Sequence, residues 1–329
     1  MKTFSIVGYG YWGPNLLRVM DSSQNIKVKH VCDLDEKRLK EAKEKYPDYI
    51  YTKNADAVFE DKEVDGIILA TPIDMHYPLA MKAMEHGKDV FIEKPITGSS
   101  DEASKLIAFA REKKKILMTG HTFVFSPPVR KMKEIVKSGE LGEIFFITSS
   151  RVNLGIHRKS ISVIWDLAPH DLSIIYYILD EDPIEINSSG RDSIIKGVPD
   201  VAFISLKFPS KIVANIELSW LAPTKIRRTI IVGSKKMLIY DDSDPVDKIK
   251  VFDKGIEMKD PQTFGEYQLT YRTGDMYAPR IDSAEPLMVE MESFREAVET
   301  RKTPLSDGEF GLRIVKTIET ADKKLYASL

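Results

Sequence analysis

Short apolar runs alternate with amphipathic stretches through the first 120 or so residues. Phe4–Val7, Val28–Cys32, Gly66–Ala70, Val90–Ile92 and Ile116–Thr119 read as strands. Gly66–Ala70 is nearly all apolar, as expected of a strand buried on both faces. Between them, Trp12–Met20, Glu36–Tyr46, His76–His86 and Asp101–Glu112 read as helices. In the last, Ala103, Leu106, Ile107 and Ala110 recur at i, i+3, i+4 and i+7, the spacing of one helical face. Strand–helix repetition of this kind predicts an α/β domain with a doubly wound parallel sheet over residues 1–121.

The pattern changes over residues 122–329. Helical spacing covers Val129–Val136, a strand covers Ile144–Val152, and a helix signal runs from Asp166 to Leu179. Strands then dominate. Ala202, Ile204, Leu206 and Phe208 alternate on one face, as do Ile212, Ala214, Ile216, Leu218 and Trp220. Joined by Pro209-Ser210-Lys211, they predict an antiparallel hairpin with one covered face. Arg228–Val232, Met237–Tyr240 and Lys248–Phe252 extend the sheet, and helices over Pro286–Arg301 and Gly308–Tyr326 close the chain. The second domain is therefore expected to be α+β.

A length of 329 residues suits two such cores. Hydrophobic residues make up 43% and charged residues 30%, so the chain is globular rather than disordered. The net charge of −2 lacks the basic excess of a nucleic-acid binder. With Cys32 as the single cysteine, a disulfide scaffold is excluded and a reducing compartment fits. The N-terminal apolar run is cut at once by glycines and reads as a first strand, not a signal peptide. No apolar run approaches the roughly 20 residues of a membrane span. A cytoplasmic protein with no membrane or nucleic-acid partner is the expectation.

Candidate chemistry begins at the turn Gly8-Tyr9-Gly10-Tyr11-Trp12-Gly13, a G-x-G-x-x-G between a strand and a helix. Gly8 permits the tight turn, Gly10 lets the backbone approach a pyrophosphate, and Gly13 lets the helix pack on the strand. The helix N-terminus offers N–H groups and partial positive charge to phosphates, and Pro14 suits its first turn. Asp33 ends the second strand 20 residues beyond Gly13, where a carboxylate accepts from the adenosine ribose and repels a 2′-phosphate. NAD is favoured, and Arg38 leaves NADP open. Asp33 would also serve as a solvated turn residue.

Glu93-Lys94-Pro95 follows the strand at Val90–Ile92, at the sheet edge where ligands bind. Lys94 there can donate to a substrate hydroxyl, and a surface lysine is the plainer reading. Asp166 and His170 lie four residues apart and share a helix face. Pro169 between them suggests the first turn of that helix. A positive helix end there would keep His170 neutral and able to accept a proton. The plainer reading makes Asp166 an N-cap and His170 a core residue.

Taken together, these residues resemble the Gfo/Idh/MocA oxidoreductase family over essentially the whole chain. Thr71-Pro72 with His76, and Glu285-Pro286-Leu287 followed by Glu290 and Phe294, also fit its pattern. The resemblance implies a Rossmann domain followed by a domain with a large, open, mostly antiparallel sheet that often packs against another subunit, here a homodimer or homotetramer. It implies that Gly8 to Gly13, Asp33, Thr71, Pro72, His76, Glu93 and Lys94 bind the cofactor. Lys94 would polarise the reacting hydroxyl, His170 would be the general base, and Asp166 would position the substrate.

Gly120-His121-Thr122-Phe123, Arg151-Val152-Asn153-Leu154-Gly155 and Trp165 to Asp171 look like the branch acting on nucleotide sugars. That branch oxidises C3 of a UDP-N-acetyl-hexosamine. Arg151, Asn153 and Arg158 would then be substrate contacts, since an arginine can bind a diphosphate bidentately. Phe123 and Val124 depart from the Asn-Arg-Arg that many relatives carry. A dehydrogenase of free polyols or hexoses such as inositol, a ketosugar reductase and a non-catalytic dinucleotide sensor are the alternatives.

Overall fold

The structure, a computed structural model, describes residues 1–155, 157, 161–259 and 268–329. It divides into two compact units, Met1–Ser126 with Ala284–Glu319, and Pro127–Ser283 with Thr320–Leu329.

The first unit opens with β1 (Lys2–Val7), α1 (Gly13–Ser22), β2 (Ile26–Cys32), α2 (Glu36–Lys45), β3 (Ile50–Thr52), α3 (Ala55–Glu60), β4 (Gly66–Leu69), α4 (His76–Glu85), β5 (Asp89–Glu93), α5 (Ser100–Glu112) and β6 (Leu117–Gly120). The strands form one parallel sheet in the order β3-β2-β1-β4-β5-β6. This is the doubly wound arrangement, whose strand order reverses beside β1 and leaves a crevice at the carboxyl edge between β1 and β4. All four residues of β4 are buried. Asp35 caps α2 by accepting from the Lys37 N–H, and Ser99 caps α5 by accepting from the Glu102 N–H. β3 and α3 are absent from the periodicity reading because three and six residues are too short to show a period.

The second unit contains α6 (Pro127–Lys137), β7 (Ile144–Leu154), α7 (Val163–Leu179), β8 (Glu185–Arg191), β9 (Val201–Lys207), β10 (Val213–Ser219), β11 (Leu221–Gly233), β12 (Met237–Asp241), β13 (Ile249–Phe252), β14 (Gly255–Lys259), β15 (Gln268–Arg272) and β16 (Met276–Tyr277). Eight of these strands form a mixed sheet, β16-β13-β12-β11-β7-β10-β9-β8, in which only β7 and β10 run parallel. The expected hairpin is β9–β10. Its alternating Ala202, Ile204, Leu206, Ala214, Ile216 and Leu218 are buried, and α7 packs against these strands.

Two helices end the chain, α8 (Pro286–Thr300) and α9 (Gly308–Ser328). The expected cut at residue 121 would place both in the second domain. Instead Ala284–Glu319 belongs to the first unit, because the apolar stripe of α8 is buried there. Phe294 packs against Phe4 of β1 at 5.0 Å and Phe91 of β5 at 5.8 Å between ring centroids. Truncating such a fully buried ring to alanine costs about 3–5 kcal/mol.

Candidate active site

The glycine turn leaves β1 at the crevice. Gly8 has φ +96°, and a β-carbon there would lie 2.4 Å from the Ala70 carbonyl oxygen at the end of β4. Only glycine fits so close a crossing of two strand ends. At Gly10 the nearest atom to such a carbon is Arg38 Nη1 at 3.8 Å, so its backbone faces open space. No side chain caps α1; Pro14 in its first turn has no N–H, and the Asn15 N–H turns back to Trp12 O at 3.0 Å, which leaves the Gly13 N–H at the helix start for an anion. Tyr11 is 89% exposed, while Tyr9 is buried.

Asp33 closes this cradle. Its Oδ2 accepts from the Tyr9 N–H at 2.6 Å, and its Oδ1 accepts from the Asp35 N–H at 2.8 Å. Arg38 Nη1 stands 3.6 Å from Oδ2. A carboxylate has about four acceptor positions, so it can still receive ribose hydroxyls. These residues fit a dinucleotide.

Thr71 and His76 follow β4. The His76 ring is buried between two carbonyls, with Nδ1 2.9 Å from Pro95 O and Nε2 2.9 Å from Thr71 O. It joins the loop after β4 to the loop after β5, and Pro72 beside it is exposed. Burial pushes the imidazole below its ordinary value, against the pull of the two carbonyls.

Lys94 emerges from the end of β5 beside Glu93, and the Lys94–Pro95 peptide is cis. Glu93 Oε2 accepts from the Lys94 backbone N–H at 3.3 Å, while its Oε1 is buried without a hydrogen-bond partner. Burial pushes the Glu93 carboxyl up to about 7, opposed by the positive charge of Lys94. The indole N–H of Trp12 also favours the charged form, without completing a hydrogen bond.

Three further residues of this unit join the cluster. His121 is buried with neither ring nitrogen partnered, and burial with the Lys94 charge pushes it down to about 3. Glu290 of α8 is buried, accepts from Thr122 Oγ1 at 2.7 Å, and is raised well above the carboxylate range by burial and by Glu93. Sequence reasoning singled out none of the three as chemistry. One signal for Glu290 was present: it interrupts the apolar stripe Leu287, Met291, Phe294 of α8.

In the second unit, α7 begins at Val163 after Ser162, earlier than expected. Pro169 therefore lies inside the helix, not in its first turn. Val163 and Ile164 are fully buried, and this apolar contact draws a further turn of helix onto the front of Asp166. His170 is correspondingly beyond the first turn, where the helix-end field that was expected to keep it neutral has faded. Asp166 is not an N-cap. Its Oδ2 accepts from the Trp220 indole N–H at 3.1 Å.

Arg151 corrects another expectation. It is 3% exposed, and its Nε donates to Asp171 Oδ2 at 2.5 Å. Ser149 Oγ donates to the other oxygen of Asp171 at 2.6 Å. The guanidinium is held inside the unit by a buried carboxylate, so it is not presented to a diphosphate. Asn153 is partly buried on β7, and Arg158 lies outside the described residues.

The "Oxidoreductase family, NAD-binding Rossmann fold" model matches residues 2–121, and the "GFO/IDH/MocA C-terminal domain" model matches residues 129–239. The chain belongs to the Gfo/Idh/MocA oxidoreductase family. As a member it is an oxidoreductase with an NAD-binding Rossmann fold. YrbE, an uncharacterised oxidoreductase of Bacillus subtilis (strain 168), is 26% identical over 331 residues, covering 97% of this chain and 93% of that protein. The myo-inositol 2-dehydrogenase of Thermotoga maritima is 28% identical over 223 residues, 65% of this chain and 67% of that protein. The solved structure of the UDP-N-acetylglucosamine 3-dehydrogenase of Acidithiobacillus ferrooxidans shares the fold. Its TM-score is 0.82 at 21% identity, over 99% of this chain and 98% of that one. No helix among the described residues is long and apolar enough to cross a membrane.

Proposed function

We propose that this family member oxidises a ring hydroxyl of a nucleotide sugar to a ketone, with C3 of a UDP-N-acetyl-hexosamine as the preferred position. The observation that carries a dehydrogenase reading of the site is Lys94, which leaves the carboxyl end of β5 in the same sheet whose β1 end forms the glycine cradle. The nucleotide-sugar reading is supported by the segments Gly120 to Phe123 and Trp165 to Asp171 and by the departure at Phe123-Val124.

Bound NAD⁺ supplies the acceptor for the hydride leaving the carbinol carbon. Lys94 Nζ polarises the hydroxyl oxygen, and the His170 imidazole takes its proton. Asp166 orients the sugar. Asn153 and Arg158 remain substrate contacts in this reading, with Arg151 removed from it. Glu93, Thr71, Pro72 and His76 shape the nicotinamide side, His76 by holding two loops together.

The same chain is proposed to assemble as a homodimer or homotetramer through the open face of its larger sheet. Phe146 of β7 pairs with Val213 of β10, and Phe203 of β9 pairs with Glu217, so Phe146, Val213 and Phe203 share one exposed face.

A free-polyol dehydrogenase is the second reading, favoured by the 28% identity to a myo-inositol 2-dehydrogenase. Incubation with NAD⁺ and a panel of UDP-sugars, free hexoses and inositol, followed by absorbance of the reduced cofactor, separates the two. Reduction with UDP-N-acetylglucosamine is expected. Activity confined to free polyols overturns the nucleotide-sugar assignment.

A further inference from the structure

Trp220 occupies the junction between β10 and β11 and is 1% exposed. Its backbone is held from both sides: its N–H donates to Asp200 O at 3.0 Å, and its carbonyl accepts from the Gly155 N–H at 2.9 Å. Its ring is confined too. A β-carbon on Gly155 would lie 2.6 Å from Trp220 Cδ1, so glycine is what lets the indole lie against the end of β7. The His157 ring meets it edge-on at 5.5 Å, and His157 Nε2 stands 3.8 Å from the fully buried Asp200 carboxylate. With backbone and ring immobilised, the indole N–H has one direction to point, and it meets Asp166 Oδ2 at 3.1 Å.

We propose that Trp220 is a positioning residue for the reaction: its indole N–H sets the orientation of the Asp166 carboxylate. The inference rests on the role proposed for Asp166. A tryptophan present only for packing needs no acceptor on α7, and a carboxylate on α7 needs no partner from the β10–β11 junction. Indole N–H is a donor and never an acceptor, so the Asp166 oxygen is the accepting side of this bond. The bond holds the carboxylate in one rotamer, which suits an acceptor for a substrate hydroxyl. Preorganised charge of this sort carries no reorientation cost when the substrate arrives.

A double-mutant cycle with Trp220→Phe and Asp166→Ala tests this, read as kcat/KM for NAD⁺ reduction with UDP-N-acetylglucosamine. Phenylalanine keeps an aromatic ring and removes the N–H. Trp220→Phe is expected to lower kcat/KM roughly tenfold, the effect of losing one hydrogen bond to a charged group. In the Asp166→Ala background the same change is expected to have almost no further effect. Equal losses in both backgrounds, or no loss in either, overturn the proposal and leave Asp166 untouched. Full activity of Asp166→Ala itself overturns both the role of Asp166 and this inference. A second measurement needs neither turnover nor a folded Trp220→Phe protein. The chain has three tryptophans, so at most three indole N–H resonances are expected in a ¹⁵N spectrum. Asp166→Ala should shift one of them strongly, and three unmoved resonances refute the bond.

Discussion

The Tyr9 backbone N–H donates to the Asp33 carboxylate across the ends of β1 and β2, at 2.6 Å. One carboxylate therefore braces the glycine turn and stands where the adenosine ribose is expected. Asp33→Ala removes both functions at once. Calorimetric titration should show NAD⁺ binding weakened about tenfold or more, with NADP⁺ weakened less because Arg38 is released from its 3.6 Å contact. A ratio of the two affinities equal to that of the parent protein would refute the selectivity role of Asp33.

Lys94→Ala is expected to lower turnover by two or more orders of magnitude, the scale typical of a lost proton-handling group. NAD⁺ should still bind within a few-fold, because the cradle at Gly8 and Asp33 is intact. Fluorescence titration of the cofactor alongside steady-state rates separates the two effects. Near-normal turnover would remove Lys94 from the mechanism.

Glu93 predicts a pH dependence of stability. The folded state raises its carboxyl to about 7, so folding takes up its proton. Its contribution is full below the ordinary value near 4.5 and is lost as pH rises through about 7. The difference amounts to as much as about 3 kcal/mol. Glu93→Gln keeps the neutral shape at every pH. Urea unfolding at pH 5 and pH 8 should therefore show the parent protein losing stability relative to this variant on the alkaline side. A pH-independent difference would contradict the assignment.

His121 carries the opposite sign. Its folded value near 3 lies below that of the unfolded chain, so stability is full above about 6.5 and falls as pH drops toward 3. His121→Leu removes the two unpartnered nitrogens and should flatten that acid limb. An acid-unfolding curve that keeps the same midpoint in the variant would rule out His121 as its source.

Arg151→Ala distinguishes a structural arginine from a substrate contact. The change strands the Asp171 carboxylate in the interior with Ser149 as its remaining short partner. Breaking a buried pair in this way costs about 3–5 kcal/mol. Urea unfolding should show that loss. Unaltered stability with a raised KM for UDP-N-acetylglucosamine would instead restore Arg151 to the substrate.

What the amino-acid sequence determined by itself is the local chemistry of this protein. A strand ending in Gly8, a helix opening at Gly13 and a carboxylate 20 residues on are covalently close, and backbone sterics leave them few arrangements. The same holds for the β9–β10 hairpin, where a period of two and a short turn suffice. β3 has three residues and is too short to show a period, and β8 is polar at nearly every position, so neither carries an apolar period. Tertiary structure alone decided where α8 belongs, since burial of Phe294 depends on Phe4 and Phe91, some 200 to 290 positions away. It also decided which polar residues serve the interior. Arg151 and Asp171 form a pair, burial and Glu93 push the Glu290 carboxyl upward, and Asp166 accepts from the distant Trp220 indole. The physical reason is common to all three: the energy of a charge depends on which groups surround it once water is gone, and those groups come from distant parts of the chain.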